Sequence, residues 1–434
     1  SPLLKELMTY GTHPLVEEFK KVDQLCLSAN QAKIVSALSK QRPDNNIVAG
    51  SKFQLLVKEY NKTRKQKPIR LLLEEIWEFA LTIKPIFLMS PLSVSTYLNS
   101  RSDMFDLVIF DEASQVFAWD ALGAIYRAKQ CIIIGDHQQL PPSRFFSAGL
   151  DDEEEDDEPI ESILDQASMV FAIKKLSWHY RSRSEELIAF SNRRFYQGRL
   201  ITIPQAKRHT DGFGIDFYPT DGIYDVKTQT NRIEAFKVVD LVVEAMRTYP
   251  NRSLGVITFS SAQADLIEEV LEERKKNEQL PADYFSMEKD EPFFIKNLES
   301  VQGDERDIII FSICYGYNKE KKFYQRFGPL NNVGGEKRLN VAVTRAKYNI
   351  RVVTSIHASD IRLEKTDSLG VQYLKEYLDY AEHIQTKMLP KQPSYDGVLE
   401  SVCRFLEDQG YLCHPLVGTS DFKIDLAVSH PLTQ

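Results

Sequence analysis

Short apolar runs alternate with helical patterns through the middle of the chain. In each run the apolar residues are consecutive, so a strand made from it would be apolar on both faces. The runs are PIFLMS, DLVIFD, CIIIGD, LGVITFS, DIIIFSICY and IRVVTS. Strands of this kind are typical of parallel sheets that helices cover on both sides. The pattern therefore predicts an α/β fold with doubly wound parallel sheets.

An acidic run and the helical pattern behind it divide these strands into two groups, which favours two sheets over one. Residues 1–85 have mostly helical spacing, and a further helical pattern, GVQYLKEYLDYAEHI, follows the last strand. Two prolines in LPKQPSY then indicate a linker. The predicted divisions are a first domain at 1–170, a second at 171–358, a helical linker at 359–394 and a new segment at 395–434.

Composition narrows the class of protein. The 434 residues are 43% hydrophobic and 11% aromatic, which is enough for sizeable cores. No signal peptide and no run of about 18 apolar residues is present, so we expect a cytoplasmic protein without a membrane partner. The five cysteines are far apart and show no metal-type spacing, which favours isolated thiols.

The net charge of -8 does not exclude a nucleic-acid partner. The run DDEEEDDE at 151–158 supplies eight of the 62 acidic residues, and the remaining 54 equal the 54 basic ones. Such a run repels itself and is interpreted as a surface loop. The basic stretch KEYNKTRKQKPIR at 58–70 could contact phosphates or could be a solvated helix face.

Two adjacent carboxylates end the predicted strand in FDLVIFDEASQ. Asp111 and Glu112 would lie at the carboxyl end of a buried parallel strand, where such sheets bind ligands. Adjacent carboxylates there are costly unless they are paired or bind a metal. In nucleotide motors one carboxylate holds Mg²⁺ and a second takes a proton from the attacking water. The alternative is a strand end with solvated acids.

Three further residues have the chemistry of a phosphate site. Gln139 follows the next strand in CIIIGDHQQLPPS, where its amide could contact a terminal phosphate. Arg181 and Arg345 lie in LSWHYRSRSEEL and EKRLNVAVTRAKYNI, and guanidinium groups can neutralise a transferring phosphoryl group. Alternatively, Gln139 belongs to an ordinary polar turn, and Arg181 and Arg345 are surface residues.

Five segments, in order, resemble motifs of superfamily 1 helicases, in the branch that includes the nonsense-mediated-decay helicase. DEASQ, GDHQQLPPS, HYRSRSEELIAFSNRRFY, SVQGDERDIIIFS and RLNVAVTRAK resemble motifs II to VI, and the similarity covers about residues 85–358. The resemblance implies two RecA-like domains, the first incomplete, and ATP-driven translocation or unwinding. The partner would be single-stranded or duplex DNA, with RNA left open, and movement would run 5′ to 3′ by analogy.

The resemblance also implies the roles of individual residues. Asp111 would bind Mg²⁺, Glu112 would be the general base, and Gln139 would sense the γ-phosphate of ATP. Arg181 and Arg345 would be paired arginine fingers. The nucleotide would contact Tyr180, Gly303 and Glu305. Nucleic acid would contact Ser90, Pro91, Gln263 and Ser300, and such backbone contacts predict sequence-tolerant, salt-sensitive binding.

One motif of the family is absent from the sequence. No GxxxxGK[ST] is present, and AGSKF at 49–53 lacks the first glycine and the GK pair, so we interpret it as a loop. We expect the sequence to be a piece of a longer helicase, and we expect this chain alone to hydrolyse ATP weakly or not at all. An ATPase-inactive module that clamps nucleic acid is the alternative.

The last segment predicts a helix, a turn at Gly410, a strand, a loop at Gly418 and a second strand. The sequence from Tyr395 onward resembles the opening of restriction-endonuclease-like domains akin to very-short-patch-repair endonucleases. That resemblance implies that Glu400 and Asp425 are metal-binding acids. It adds a helicase-coupled DNA endonuclease as an alternative function, whereas a small α/β cap with a solvated aspartate would have no such role.

Overall fold

The protein is described from a computed structural model. The described residues are 13–41, 50–142, 161–204, 212–278, 280–384, 397–418 and 423–429. The acidic run at 151–158 and the linker LPKQPSY at 389–395 lie outside these ranges. The chain divides into a first unit, formed by residues 1–111 and 117–133, and a second unit, formed by residues 112–116 and 134–434.

The first unit consists mainly of helices around a small parallel sheet. Strands β1 (Val108–Phe110) and β2 (Cys131–Ile133) pair in parallel, with Ile109 opposite Ile132. The helices of this unit are His13–Gln41, Lys52–Tyr60, Ile69–Ile83, Pro91–Tyr97 and Ala118–Tyr126. The described part of residues 1–85 is therefore mostly helical, as predicted.

The predicted strand PIFLMS is wrong. Residues 85–90 form no strand, and the side chains of Ile86 and Leu88 are 78% and 93% exposed. A strand requires hydrogen bonds from a neighbour, and β1 and β2 pair only with each other among the described residues of this unit. An apolar sequence alone was therefore not sufficient to form a strand at residues 85–90.

A five-stranded parallel sheet is the centre of the second unit. Its strands are β3 (Gly214–Pro219), β6 (Leu254–Thr258), β7 (Phe294–Asn297), β8 (Arg306–Ser312) and β9 (Ala346–Thr354). The order across the sheet is β3-β9-β8-β6-β7, and every pair is parallel. The short antiparallel pair of β4 (Tyr224–Asp225) and β5 (Thr230–Asn231) lies outside this sheet. The predicted α/β fold is confirmed.

Helices cover both faces of this sheet. Ile309 and Phe311 of β8 pack on one face with Phe190, whereas Ile308 and Ile310 pack on the other. Each such side chain contributes about 1.5 to 3 kcal/mol on burial. The helices of this unit up to residue 384 are Ile163–Val170, Glu185–Arg194, Arg232–Thr248, Ser261–Glu278, Gly335–Val343 and Leu369–Glu382.

The carboxy-terminal segment has the predicted element order. A helix, Gly397–Asp408, is followed by the antiparallel strands β10 (Leu412–Val417) and β11 (Ile424–Ser429). Gly410 turns the chain between them with a φ of 86°, a conformation that other residues rarely adopt. Within the described ranges, none of the helices has the length and apolar character needed to span a bilayer.

Candidate nucleotide site

The amino ends of β8 and β9 bring two of the predicted residues together. Glu305 directly precedes β8, and Arg345 directly precedes β9. The two strands are parallel neighbours, so their amino ends share one edge of the sheet. The backbone N–H of Arg306 donates to the carbonyl of Arg345 at 3.1 Å and fixes this arrangement.

Arg345 is a buried cation whose hydrogen-bond partners are all neutral. Its side chain is 2% exposed, and its Nε donates to the Val341 carbonyl at 2.7 Å. Weaker contacts reach the Thr344 hydroxyl at 3.3 Å and the Asp304 carbonyl at 3.4 Å. Within the described ranges it forms no ion pair. A buried charge is costly unless it is compensated, so this position suits an anionic ligand.

The pKa of Arg345 agrees with that environment. Burial, and then the nearby charge of Arg181, lower the pKa to about 10, although Glu112 and Glu305 act in the opposite direction. The guanidinium therefore remains charged at neutral pH. Two neighbouring cations repel each other, and a multiply charged anion between them would remove that repulsion.

A carboxylate holds Arg181 beside this site. Arg181 Nε donates to Glu305 Oε2 at 2.7 Å, and its NH1 reaches the Thr344 carbonyl at 3.5 Å. Lys347 lies 3.2 Å from the other oxygen of Glu305. Burial alone would raise the pKa of Glu305, but the charges of Arg181 and Lys347 outweigh burial and lower it. Glu305 is therefore ionised and orients Arg181.

Glu112 has a strained backbone and is bridged to Gln139. Its φ of 51° and ψ of 40° place it in the left-handed region, which costs about 1 to 3 kcal/mol for a residue with a side chain. Gln302 Nε2 donates to Glu112 Oε2 at 3.0 Å and to Gln139 Oε1 at 3.4 Å. The Oε1 of Gln302 is buried without a hydrogen-bond partner in the described part of the chain.

Close packing at Gly135 supports the loop that follows Glu112. A Cβ at Gly135 would lie 3.1 Å from the backbone nitrogen of Ser114 and 2.9 Å from Leu164 Cδ2. The backbone N–H of Ala113 also donates to the Ile134 carbonyl at 2.9 Å. A glycine at position 135 therefore allows the backbone after Glu112 to approach.

A second set of hydrogen bonds connects three of the motif segments. Gln139 Nε2 and the Tyr196 hydroxyl both donate to Asp136 Oδ2, at 3.3 Å and 2.7 Å. Asn340 Nδ2 donates to the Tyr196 hydroxyl at 3.2 Å and to the Gln138 carbonyl at 2.9 Å. Burial and the charge of Asp136 raise the pKa of Tyr196, so its hydroxyl stays protonated.

No role was predicted from the sequence for three of the residues that make these connections. Gln302, Tyr196 and Asn340 lie inside segments that were selected for other residues. Gln302 is adjacent to Gly303, and Asn340 is five positions before Arg345. Asn340 stands out as a polar residue within the apolar stretch LNVAV, whereas Gln302 and Tyr196 lie in polar stretches and carry no such signal.

Tyr180 directly precedes Arg181 in the sequence, and Gly303 directly follows Gln302. The Tyr180 ring is 80% exposed and available for stacking. Burial, and then Arg181, lower the pKa of the adjacent His179 to about 4, so this imidazole is neutral and accepts from the Ser182 backbone N–H at 3.1 Å. Gly303 has a φ of 86°, and no heavy atom lies within 4 Å of an added Cβ.

Asp111, Ser90 and Pro91 belong to the first unit. Asp111 directly follows β1 and is exposed. Ser90 is exposed and caps the helix Pro91–Tyr97, because its hydroxyl accepts from the Ser93 backbone N–H at 3.2 Å. Their predicted contacts with Mg²⁺ and nucleic acid stay predictions.

The structure argues against a direct contact between nucleic acid and Gln263. This side chain is 0% exposed, and its amide exchanges hydrogen bonds with the Asn231 backbone at 2.8 Å and 3.1 Å. It also donates to the Ser312 hydroxyl at 3.1 Å. A side chain with no accessible surface can only support its neighbours. Ser300, in contrast, is exposed, and its hydroxyl donates to Asn297 Oδ1 at 2.8 Å.

The acidic residues fit Mg²⁺ only in combination with a nucleotide. Within the described ranges, no three His, Cys, Asp or Glu residues are grouped so that they could hold a metal. Mg²⁺ often binds through one or two carboxylates together with phosphate oxygens and water, which a single Asp111 would suit. In the last segment Glu400 pairs with Arg404 at 2.5 Å, and Asp425 is exposed on β11. A nuclease metal centre there stays a prediction.

Comparisons with known proteins show which families and proteins the chain is similar to. Residues 28–145 match one family model described as an AAA domain, and residues 160–357 match another with the same description. The chain is 35% identical to the "Uncharacterized ATP-dependent helicase MG140" of Mycoplasma genitalium, over 88% of this chain and 35% of that protein. It is 38% identical to the MG140 homolog of Mycoplasma pneumoniae, over 70% of this chain and 28% of that protein.

A third relative is the "DNA replication ATP-dependent helicase/nuclease dna2" of Schizosaccharomyces pombe, which is 27% identical over 56% of this chain and 18% of that protein. The chain spans about a third or less of the length of these relatives. Its fold is that of an α/β protein built on a parallel sheet. The chain is thus similar to AAA-domain family models and to proteins that are named as ATP-dependent helicases.

Proposed function

We propose that the chain forms the motor part of an ATP-dependent superfamily 1 helicase or translocase that acts on DNA. The observation that supports this most strongly is Arg345, a buried cation with neutral partners beside Arg181 and near Glu112. Helicase names among the relatives support the motor, and the dna2 name supports DNA.

In this proposal Glu112 takes the proton from the water that attacks the terminal phosphate of ATP. Gln302 donates to one oxygen of Glu112 and so fixes the direction of its carboxylate. The oriented carboxylate would accept the proton as a general base. Bound Mg²⁺, held through Asp111, would neutralise phosphate charge.

Arg345 and Arg181 neutralise the charge that develops on the transferring group. Both guanidiniums are fixed before the reaction, Arg345 by the Val341 carbonyl and Arg181 by Glu305. Preorganised charges of this kind need no rearrangement during the reaction. Arginine fingers contribute about 10³ to 10⁵ in rate in related phosphoryl transfers.

The same network offers a path from nucleic acid to the nucleotide. Gln302 is two residues after Ser300, whose exposed turn would contact the strand backbone. Gln302 in turn bridges Glu112 and Gln139. A strand that shifts the Ser300 turn would therefore alter the position of the general base, which predicts that DNA stimulates hydrolysis.

An ATPase assay tests the proposal. The longer polypeptide expected from the sequence analysis is measured with and without single-stranded DNA, as wild type, Glu112→Gln and Arg345→Ala. We expect DNA-stimulated hydrolysis, with kcat lowered about 10³- to 10⁵-fold in Arg345→Ala. Arg351→Ala is the matched control, because Arg351 is equally buried on β9 but pairs with Glu244 at 3.3 Å. Equal kcat in both arginine variants would contradict the proposal.

A further inference from the structure

A cavity of about 360 Å³ lies in the first unit, apart from every residue given a role above. It opens between the helix Ile69–Ile83 and the residues that follow the helix Pro91–Tyr97. Arginine, aromatic and amide side chains line it, among them Arg70, Arg101, Trp77, Tyr97 and Asn99. This combination of cations and rings is the one that binds phosphates and bases.

The charge of the cavity is positive. Arg70 Nε donates to Asn99 Oδ1 at 3.4 Å, a neutral partner. In the part of the chain that the structure describes, neither Arg70 nor Arg101 forms an ion pair, and Glu74 is the one carboxylate in the cavity wall. Two exposed guanidiniums are therefore available to an anionic ligand.

Two aromatic rings provide an apolar wall. Trp77 is fixed by the rings of Phe87 and Phe105, with centroids 5.5 Å and 5.4 Å away. Tyr97 is 39% exposed, and within the described ranges no other ring fixes it in this way. The Tyr97 ring therefore offers a face on which a base can stack.

A buried arginine makes the far wall rigid. Arg127 is 5% exposed and donates to the carbonyls of Leu98 at 3.1 Å, Asn99 at 2.8 Å and Gly123 at 2.5 Å. The loop that carries Asn99 and Arg101 is thus held in place before any ligand binds. Preorganisation of this kind lowers the entropic cost of binding.

The basic stretch at 58–70 leads to this cavity and ends at Arg70. Glu59 and Glu75 neutralise Lys62 and Lys67 in ion pairs. Arg64 and Lys65, in contrast, are exposed, and the described residues provide no carboxylate partner for either. The stretch therefore adds positive surface next to the cavity.

We propose that this cavity binds one nucleotide of a single-stranded nucleic acid. The base stacks on Tyr97, and the adjoining phosphates lie on Arg70 and Arg101. The inference rests on the proposed function, since it assumes a nucleic-acid substrate. Ser90 begins the helix that ends at Tyr97, which is about 10 Å long. At a rise of about 3.4 Å per nucleotide, a strand on Ser90 reaches the cavity within about three nucleotides.

Fluorescence anisotropy with a labelled oligo(dT) and the 434-residue chain tests this assignment across a salt series. In the variant Arg70→Ala/Arg101→Ala we expect at least 10-fold weaker binding and a salt slope that is smaller by about 1.4, or 0.7 for each lost phosphate contact. In Tyr97→Ala we expect roughly 5- to 100-fold weaker binding with an unchanged slope. Tyr97→Phe keeps the ring and should bind like wild type.

Arg247→Ala is the matched control, because Arg247 is an exposed arginine of the second unit that pairs with Glu278. Thermal unfolding of each variant separates lost contacts from lost structure. If Arg70→Ala/Arg101→Ala and Tyr97→Ala both bind oligo(dT) as tightly as the wild type does, the cavity assignment alone is overturned. No binding of oligo(dT) by the wild type overturns both this inference and the nucleic-acid part of the proposed function. If polyglutamate displaces the labelled oligo(dT) but unlabelled oligo(dT) does not, the surface binds an acidic protein. That result also overturns the cavity assignment.

Discussion

At the scale of single residues, buried charges distinguish this molecule from an ordinary parallel-sheet protein. Arg345 remains charged with neutral partners, and Glu234 is 0% exposed in the same unit. Glu234 accepts hydrogen bonds from the Ser312 and Ser355 hydroxyls and the Cys314 backbone N–H. Arg345 suits an external anion, whereas Glu234 is satisfied within the fold. Of these two residues, only Arg345 is therefore a candidate for a role in catalysis.

Glu234 should make stability depend on pH. Burial raises its pKa from 4.5 to about 7, although its hydrogen bonds act in the opposite direction. A carboxyl with a raised pKa in the folded state stabilises the protein most below the unfolded pKa, and this contribution is lost as pH rises to about 7. The loss amounts to about 3 kcal/mol.

Denaturant unfolding at pH 5 and pH 8 measures this effect. We expect the difference in free energy of unfolding between wild type and Glu234→Gln to fall as pH rises, because glutamine does not titrate. Glu269→Gln, at an exposed position of the helix Ser261–Glu278, is the control and should show no such trend. A constant difference between wild type and Glu234→Gln would rule out the raised pKa.

The sequence identified the residues with obvious chemistry but not those that orient them. Glu112 and Arg345 stand out because charges beside apolar strands are unusual. Gln302 and Asn340 do not, since their roles depend on partners far away in the chain, such as Glu112 and the Tyr196 hydroxyl. The resemblance implied a nucleic-acid contact for Gln263, whereas tertiary packing buries this side chain.

At the scale of elements, one short helix supports the loop after Glu112. In the helix Ile163–Val170, the Ser162 hydroxyl accepts from the Asp165 backbone N–H at 3.1 Å, and Asp165 Oδ2 accepts from the Ser162 N–H at 3.0 Å. The Ile163 N–H donates to the Val116 carbonyl at 2.8 Å. The capped end of the helix is therefore attached to the loop.

Ser162→Ala should weaken this attachment. Loss of the cap is expected to lower the free energy of unfolding by about 1 kcal/mol, because an N-terminal N–H loses its acceptor. Ser168→Ala is the control, since the one acceptor of the Ser168 hydroxyl among the described residues is the Asp165 carbonyl of the same helix. Chemical denaturation of both variants provides the comparison, and equal midpoints would show that the cap has no role.

Whether a strand of the five-stranded sheet could be predicted from the sequence depends on its place in that sheet. Strands β6, β8 and β9 were predicted because they are central and apolar on both faces. Strands β3 and β7 were missed because they lie at the two edges, where GIDFYP and FIKN include exposed and polar residues. Within this sheet the apolar signal thus accompanies burial on both faces, whereas β1 and β2 show the signal although Ile109 and Ile132 are 55% and 47% exposed.

At the scale of the whole molecule, the second unit holds Glu112, Gln139, Arg181 and Arg345, and no GxxxxGK[ST] occurs in the sequence. Without that loop the backbone amides and the lysine that bind the β- and γ-phosphates are missing. We expect the purified 434-residue chain to hydrolyse ATP weakly or not at all, as measured by phosphate release. Robust turnover that Glu112→Gln abolishes would contradict this expectation.

The most direct test of the nucleotide site is a crystal structure of the longer polypeptide with Mg²⁺ and a non-hydrolysable ATP analogue. We expect the guanidinium nitrogens of Arg345 and Arg181 at about 2.7 to 2.9 Å from oxygens of the terminal phosphate, with Glu112 facing the same phosphate. A nucleotide bound elsewhere, with Arg345 still contacting only Val341, Thr344 and Asp304, would contradict the proposed function.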